Sequence, residues 1–117
     1  MGWEIEFYQD SQGNIPVQGF ILGQTPKVQA KLLHFIDMLQ DFGMSLGQPH
    51  VKKLTGSDVW ELRVQHSSNY YRILYFAFTG QKFVLLHAFL KKTDETPKGE
   101  LETAQGRLND YKHRYSL

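Results

Sequence analysis

The hydrophobic pattern is clearest between positions 59 and 92, where three apolar runs are separated by two short polar turns. The runs read V-W-E-L-R-V-Q-H, Y-Y-R-I-L-Y-F-A-F and K-F-V-L-L-H-A-F-L-K-K, and the turns read S-S-N and T-G-Q. Runs rich in β-branched and aromatic residues that are joined by short polar turns indicate antiparallel hairpins. We therefore predict a three-stranded meander at the centre of one sheet.

Alternating and helical periods predict the elements on either side of this meander. Residues 3–8 alternate apolar and polar positions, as in a half-buried strand, and residues 51–54 read as a short strand. Prolines near capping residues mark helices at about 14–22 and 26–43 and a final helix after Thr96-Pro97. The order is β-α-α-β-β-β-β-α. We predict an α+β domain with a twisted antiparallel sheet, two N-terminal helices on one face and a C-terminal helix.

The length and composition predict one ordinary globular domain over residues 1–117. No apolar run approaches the roughly 20 residues that span a bilayer, and the first residues lack the pattern of a secretory signal. The chain has no cysteine, which excludes disulfides, cysteine-ligated zinc and thiol catalysis. We therefore expect a cytoplasmic protein with no membrane partner.

Basic charge is concentrated in the half of the chain that carries the meander. Residues 1–50 hold two Lys against five Asp and Glu, a net charge of −3. Residues 51–117 hold eleven Lys and Arg against seven Asp and Glu, a net charge of +4. Such asymmetry suggests an anionic partner, although an unevenly charged solvated surface would give the same count.

Charged side chains interrupt the apolar runs at five places: Glu61, Arg63, Arg72, His87 and Lys91. Side chains alternate between the two faces of a sheet. The simplest register puts Val64, Ile73 and Leu86 under the two N-terminal helices. The five charged residues then gather on the opposite, open face, and Lys52 or Lys53 joins them from the neighbouring strand.

This set of side chains suits the chemistry of an RNA phosphodiester. Arginine pairs bidentately with phosphate oxygens and stabilises the charge of the transition state. Glu61 or His87 can take the 2′-OH proton, and a His or Lys can protonate the leaving oxygen. Phe89 or Tyr70 can stack on a base. The single carboxylate argues against a two-metal nuclease, and no metal or cofactor is required. A purely structural set, with an exposed Glu61–Arg72 ion pair, is the alternative.

Four motifs resemble the HigB-like, phage-derived branch of the RelE/ParE toxin superfamily. They are K-K-L at 52–54, W-E-L-R at 60–63, Y-R-I-L-Y at 71–75 and L-L-H-A-F-L-K-K-T-D-E-T-P at 85–97. The resemblance implies a toxin of a type II toxin–antitoxin pair, acting as a ribosome-dependent endoribonuclease that cleaves mRNA through its 2′-OH without metal. It also implies a RelE-like fold with a basic groove on the face opposite the helices.

The resemblance implies partners and residue roles as well. The partners are a HigA-like helix-turn-helix antitoxin, the ribosome, mRNA, and operator DNA through the antitoxin complex. Glu61, Arg63, Arg72 and His87 take the catalytic positions, and the expected RNA-binding residues are Lys52, Lys53, Phe89, Lys91 and Lys92.

No residue matches the catalytic tyrosine that many RelE relatives carry near the C-terminal helix. Two other functions remain open: a ParE-like toxin that poisons DNA gyrase, and a non-catalytic protein that binds RNA or a partner. The acid–base pair Glu61 and His87 favours the nuclease, because a pure binding module needs only the basic residues.

Overall fold

The computed structural model describes residues 3–78, 81–92 and 95–115 of the chain. Within these ranges the strands are β1 (Glu4–Phe7), β2 (Val51–Lys53), β3 (Val59–His66), β4 (Asn69–Phe78) and β5 (Lys82–Lys91). The helices are α1 (Pro16–Leu22), α2 (Pro26–Phe42) and α3 (Lys98–Arg114), and a single 3-10 turn covers Gly43–Ser45. This order confirms the predicted α+β class. Residues 79–80 of the predicted T-G-Q turn and residues 93–94 of the 85–97 motif lie outside the described ranges.

The five strands form one sheet in the order β1-β5-β4-β3-β2. The pairs β2–β3, β3–β4 and β4–β5 are antiparallel, as predicted. The first strand departs from the prediction, because β1 pairs parallel to β5 and the sheet is mixed. Helices α1 and α2 carry the chain from β1 on one edge of the sheet to β2 on the other.

Helices α1 and α2 pack on one face of the sheet, as predicted. The apolar stripe of α2, including Leu32, Ile36 and Leu39, is buried against Leu62 and Ile73 of the sheet. The helix begins where predicted: the Thr25 hydroxyl accepts the Val28 N–H at 3.4 Å, and Pro26 occupies the first turn.

Gly43 ends α2 and lets the N-terminal strand close against it. Its φ is +57°, and a Cβ at this position would overlap the indole of Trp3. Trp3 in turn stacks on Phe83 of β5 with ring centroids 4.3 Å apart. Only glycine therefore fits at this position without displacing the indole.

Helix α3 covers part of the opposite face, which corrects the prediction that this face is open. Ala104, Leu108 and Tyr111 of α3 are buried against Leu74 and Val84. These three side chains recur at helical spacing, whereas Tyr115, directly after α3, is 54% exposed. The part of this face that remains uncovered lies towards β2, β3 and the far end of β4.

The predicted position of Leu86 under the N-terminal helices is wrong. The β4–β5 register shifts at a bulge, since Leu74 pairs with His87 whereas Tyr75 pairs with Leu85. Leu86 is the extra residue and packs on the α3 side, while Leu85 lies under α1 and α2. A bulge inserts one residue and reverses the alternation beyond it, which a strict two-residue period does not predict.

None of the helices in the described ranges is long and apolar enough to cross a bilayer.

Candidate functional site

Cross-strand pairing places charged residues side by side on the sheet face opposite α1 and α2, in the part that α3 leaves uncovered. Lys52 pairs with Glu61, Arg63 with Arg72, and Tyr70 with Lys91. Directly opposed side chains on one face have Cβ atoms about 4.5–5.5 Å apart. The structure therefore brings together five of the predicted site residues, which we call the arginine site: Lys52, Glu61, Arg63, Arg72 and Lys91.

Glu61 is the centre of the arginine site and is entirely buried. Its Oε1 accepts the Nε–H of Arg63 at 3.2 Å and lies 3.6 Å from Nε of Arg72. Its Oε2 accepts a hydrogen bond from the Thr96 hydroxyl, which the chain brings back over the sheet after β5. A buried carboxylate must be compensated by charges and hydrogen bonds. The geometry therefore gives Glu61 the role of orienting two guanidinium groups.

Arg72 is held nearly rigid, with 8% of its surface exposed. Its Nη1 donates to the Tyr71 carbonyl at 3.0 Å, and its Cζ lies 5.9 Å from the centroid of the Tyr70 ring. Burial lowers the pKa of the Arg72 guanidinium, Glu61 opposes that shift and Arg63 adds to it. Arginine is so basic that the group stays charged. Arg72 is thus a fixed cation with little freedom left to lose on binding an anion.

Lys91 is a buried lysine among other cations, with 6% of its surface exposed. Burial lowers the pKa of its ammonium group, Glu61 opposes the shift, and Arg72, Arg63 and Lys52 reinforce it. A lysine with a lowered pKa gives up its proton more readily than an exposed one, so it can act in proton transfer.

His87 lies away from the arginine site and is engaged by α3. It is in the same cross-strand row as Glu61, but Leu74 stands between them, so their backbones are about 10 Å apart. Nη1 of Arg107 lies 2.9 Å from His87 Nδ1, and Nε2 lies 2.6 Å from Oε1 of Glu100. Because Arg107 can only donate, Nδ1 accepts and Nε2 carries the proton that Glu100 accepts. His87 thus anchors α3 to the sheet.

The predicted RNA-binding residues are divided by the fold. Lys52 and Lys91 belong to the arginine site, and Lys92 is exposed just beyond β5. Lys53 pairs with Trp60 and points away from Lys52. Phe89 is 6% exposed in the core beneath α3, stacked on His87 at 5.5 Å, so its ring is not on the open surface.

Two cavities meet at the arginine site. One, of about 350 Å³, is lined by polar and apolar side chains: Lys52, Leu54, Thr55, Glu61, Arg63, Lys91, Glu95, Thr96 and Leu101. The other, of about 540 Å³, is lined by Arg63 and Arg72 together with Lys31, Phe35, His50 and Tyr70. We call this second cavity the edge cleft. Arg63 lines both.

Sequence reasoning did not single out Lys31 or His50 as site residues. Lys31 is a polar position on α2, and His50 belongs to the loop before β2. Their place beside Arg63 depends on how α2 crosses the sheet and on the short length of β2, for which the local sequence offers no signal. The described ranges contain no group of three or more His, Asp and Glu side chains able to hold a metal ion.

Comparison with known proteins identifies a family. The family model described as "Phage derived protein Gp49-like (DUF891)" matches residues 20–109. The chain is 38% identical over 65 residues to proteins named "Probable endoribonuclease HigB1" from two strains of Mycobacterium tuberculosis, CDC 1551 / Oshkosh and ATCC 25618 / H37Rv. The match covers 56% of this chain and about half of the relatives' length.

These matches confirm the resemblance predicted from the motifs. The family model extends from the end of α1 to the last turns of α3 and so includes the whole arginine site. The chain belongs to the Gp49-like, phage-derived protein family, and it is similar to HigB-type toxins.

Proposed function

We propose that this chain is the toxin of a type II toxin–antitoxin pair and that it cleaves mRNA on the ribosome. The observation that carries the proposal is the cross-strand pair of Arg63 and Arg72 held by the buried carboxylate of Glu61. Like charges directly opposite each other destabilise a sheet. A site that keeps two guanidiniums side by side is suited to an anion that binds between them. The name of the HigB1 relatives supports an endoribonuclease.

The proposed reaction is a transfer within the RNA phosphodiester. The 2′ hydroxyl gives its proton to the general base as its oxygen forms a bond to phosphorus. The bond from phosphorus to the 5′ oxygen breaks, and the leaving 5′ oxygen takes up one proton, so that no net proton is consumed. Arg63 and Arg72 bind the non-bridging oxygens and stabilise the negative charge that develops on them. Lys52 binds the backbone beside them, where a point charge is sufficient.

Proton transfer is assigned to Lys91 instead of to Glu61 or His87. Glu61 is buried with both oxygens occupied, and His87 is engaged by Glu100 and Arg107. Lys91 lines the same cavity as Glu61 and Arg63, and its pKa is lowered by burial. Lys91 therefore combines a position at the site with a pKa below its ordinary value, which supports a role in general acid–base catalysis.

The proposed partner in the cell is a helix-turn-helix antitoxin encoded beside this chain. Lys52, Arg63, Arg72 and Lys91 surround one buried carboxylate, so an acidic segment of the antitoxin would cover the site and neutralise the toxin. Operator DNA is reached only through the antitoxin complex. The site of action is the cytoplasm, where translating ribosomes and mRNA are found.

Induced expression followed by mapping of mRNA 5′ ends tests the proposal. Wild-type chain should stop growth and create new mRNA ends, and Arg72→Ala should do neither. Arg114→Ala is the matched control, because Arg114 is exposed at the end of α3 and pairs with Asp110. Growth arrest without new mRNA ends would favour a gyrase poison, and harmless expression would favour a binding protein.

A further inference from the structure

The edge cleft is formed by three separate parts of the fold. Helix α2 contributes Lys31 and Phe35, the loop before β2 contributes His50, and the β3–β4 hairpin contributes Arg63 and Tyr70. The cleft exists because β2 is short. Strand β2 pairs only with residues 60–62 of β3, so residues 63–66 have no neighbouring strand at this edge of the sheet. The cleft is therefore a continuation of the arginine site around the edge of the sheet.

The charge of the edge cleft is positive. Lys31, Arg63 and Arg72 line it, and no carboxylate of the described residues does. Among the residues that the structure describes, no carboxylate oxygen lies within 4 Å of Lys31 Nζ. The cleft therefore favours an anionic ligand, and the Lys31 ammonium is free to bind one.

Aromatic rings accompany these cations. Tyr70 is 44% exposed, and the Arg72 guanidinium lies 5.9 Å from its ring centroid. His50 lies edge-on against Phe35, with centroids 5.6 Å apart, and both rings border the cleft. Cationic grooves with aromatic rings that can stack on bases are typical of sites for single-stranded nucleic acid. An acidic peptide would use the cations but would gain nothing from an exposed stacking surface.

We infer that the edge cleft is a subsite for the nucleotide next to the scissile phosphate of a single-stranded RNA. Tyr70 stacks on the base, and Lys31 binds the phosphate beyond it. Arg63 lines both this cleft and the cavity beside Glu61 and Lys91, and Arg72 lines the cleft next to it, so adjacent nucleotides of one strand can occupy both places. A volume of about 540 Å³ is within the range of pockets that hold small ligands of this size. This inference rests on the proposed function.

The binding experiment uses the full-length chain and a single-stranded 2′-O-methyl oligoribonucleotide, which cannot be cleaved because its attacking oxygen is blocked. Fluorescence anisotropy at several salt concentrations compares wild type with Lys31→Ala and with Lys27→Ala. Lys27 is the matched control, since it is exposed one turn earlier on α2 and does not line the cleft. Lys31→Ala should weaken binding severalfold and reduce the slope of log K against log salt by about 0.7, the value for one phosphate of a single strand.

The cleavage experiment separates stacking from the charge of the cleft. Tyr70→Ala should raise KM for RNA about tenfold. Tyr70→Phe should have a KM close to that of wild type, because the stacking ring is kept. Thermal unfolding of each variant checks that it folds.

Three results would overturn the inference. If Lys31→Ala and Lys27→Ala bind RNA alike while Arg72→Ala still abolishes cleavage, the cleft is no subsite and the proposed function stands. If Lys31→Ala weakens binding of the antitoxin but not of RNA, the cleft serves a protein partner. A wild-type chain that neither binds nor cleaves RNA would refute the proposed function and the subsite together.

Discussion

Arg63 and Arg72 lie directly opposite each other on β3 and β4, two like charges on the same face of the sheet. Glu61 compensates both, at 3.2 Å from Nε of Arg63 and 3.6 Å from Nε of Arg72. Four cations, counting Lys52 and Lys91, surround this one buried carboxylate. Glu61 therefore holds the two arginines, and the surrounding cations leave positive charge for a ligand.

Replacing Glu61 by Gln should destabilise the protein strongly. The amide retains the shape of the side chain, but it leaves the partly buried guanidinium of Arg63 and the buried guanidinium of Arg72 without their counter-charge. Removing one partner of a buried ion pair costs about 3–5 kcal/mol, and urea unfolding should show a loss of that size. Glu102→Gln is the matched control, because Glu102 is exposed on α3. A loss below about 1 kcal/mol would show that Glu61 does not hold the arginines.

Two glycines should respond to alanine substitution with opposite signs. Gly43→Ala should lower the free energy of unfolding by about 1–3 kcal/mol, because its Cβ would meet the Trp3 indole and its φ is +57°. Gly106→Ala should raise it by about 0.5–1 kcal/mol, since Gly106 lies within α3 with open space around a Cβ. Denaturant unfolding measures both. Equal effects would contradict the contact between Gly43 and Trp3.

His87→Ala should loosen α3 without removing the chemistry. The variant loses the hydrogen bonds to Glu100 and Arg107, each worth about 1 kcal/mol, so its stability should fall. Cleavage by the folded fraction should remain within about threefold of wild type. His113→Ala, an exposed residue of the same helix, is the control. If folded His87→Ala is inactive, the result supports the prediction that His87 is catalytic and contradicts its assignment as an anchor of α3.

The lowered pKa of Lys91 gives stability a defined pH dependence. In the folded protein this ammonium loses its proton below the ordinary value of 10.5, so in that interval the unfolded chain binds more protons. Stability therefore rises with pH as the solution passes through the folded pKa, and the cost of burying the charge is removed. Lys91→Met should be more stable than wild type at neutral pH, and the difference should shrink towards pH 10.5. A constant difference would mean that Lys91 is not perturbed.

The lowered pKa also predicts the pH profile of the reaction. If Lys91 is the general base, kcat should rise with pH until Lys91 is deprotonated and then level off. Lys91→Arg keeps the charge but stays protonated, so it should retain RNA binding and lose turnover. Cleavage and binding measured across pH for both proteins test this assignment. Full turnover by Lys91→Arg would leave Lys91 as a backbone contact only.

The sequence predicts the strands and the face of the arginine site because alternation is strong in β3 and β4. Arg63 and Arg72 follow the two-residue period, and W-E-L-R and Y-R-I carry it without interruption. The same period fails in β5, where the bulge at Leu86 changes the face of the residues around it. Whether a strand contains a bulge depends on the packing against both faces of the sheet. The sequence of one strand therefore does not predict it.

The roles within the site depend on contacts between distant parts of the chain. The burial of Glu61 requires Thr96 to fold back over the sheet, 35 residues later in sequence. The engagement of His87 requires α3 to dock on the second face. Helical periodicity predicts which side of α3 is apolar, but it does not say which face of the sheet receives it.

The most direct test of the account measures cleavage of ribosome-bound mRNA by wild type, Arg72→Ala and Arg72→Lys, with antitoxin binding as the check of folding. Removing one preorganised donor costs about 3–4 kcal/mol, so Arg72→Ala should cleave a hundredfold to a thousandfold more slowly. Arg72→Lys should rescue poorly, because an ammonium cannot bind two phosphate oxygens as the guanidinium does. If folded Arg72→Ala cleaves within about threefold of wild type, equivalent to roughly 0.7 kcal/mol, the arginine site is not the catalytic centre.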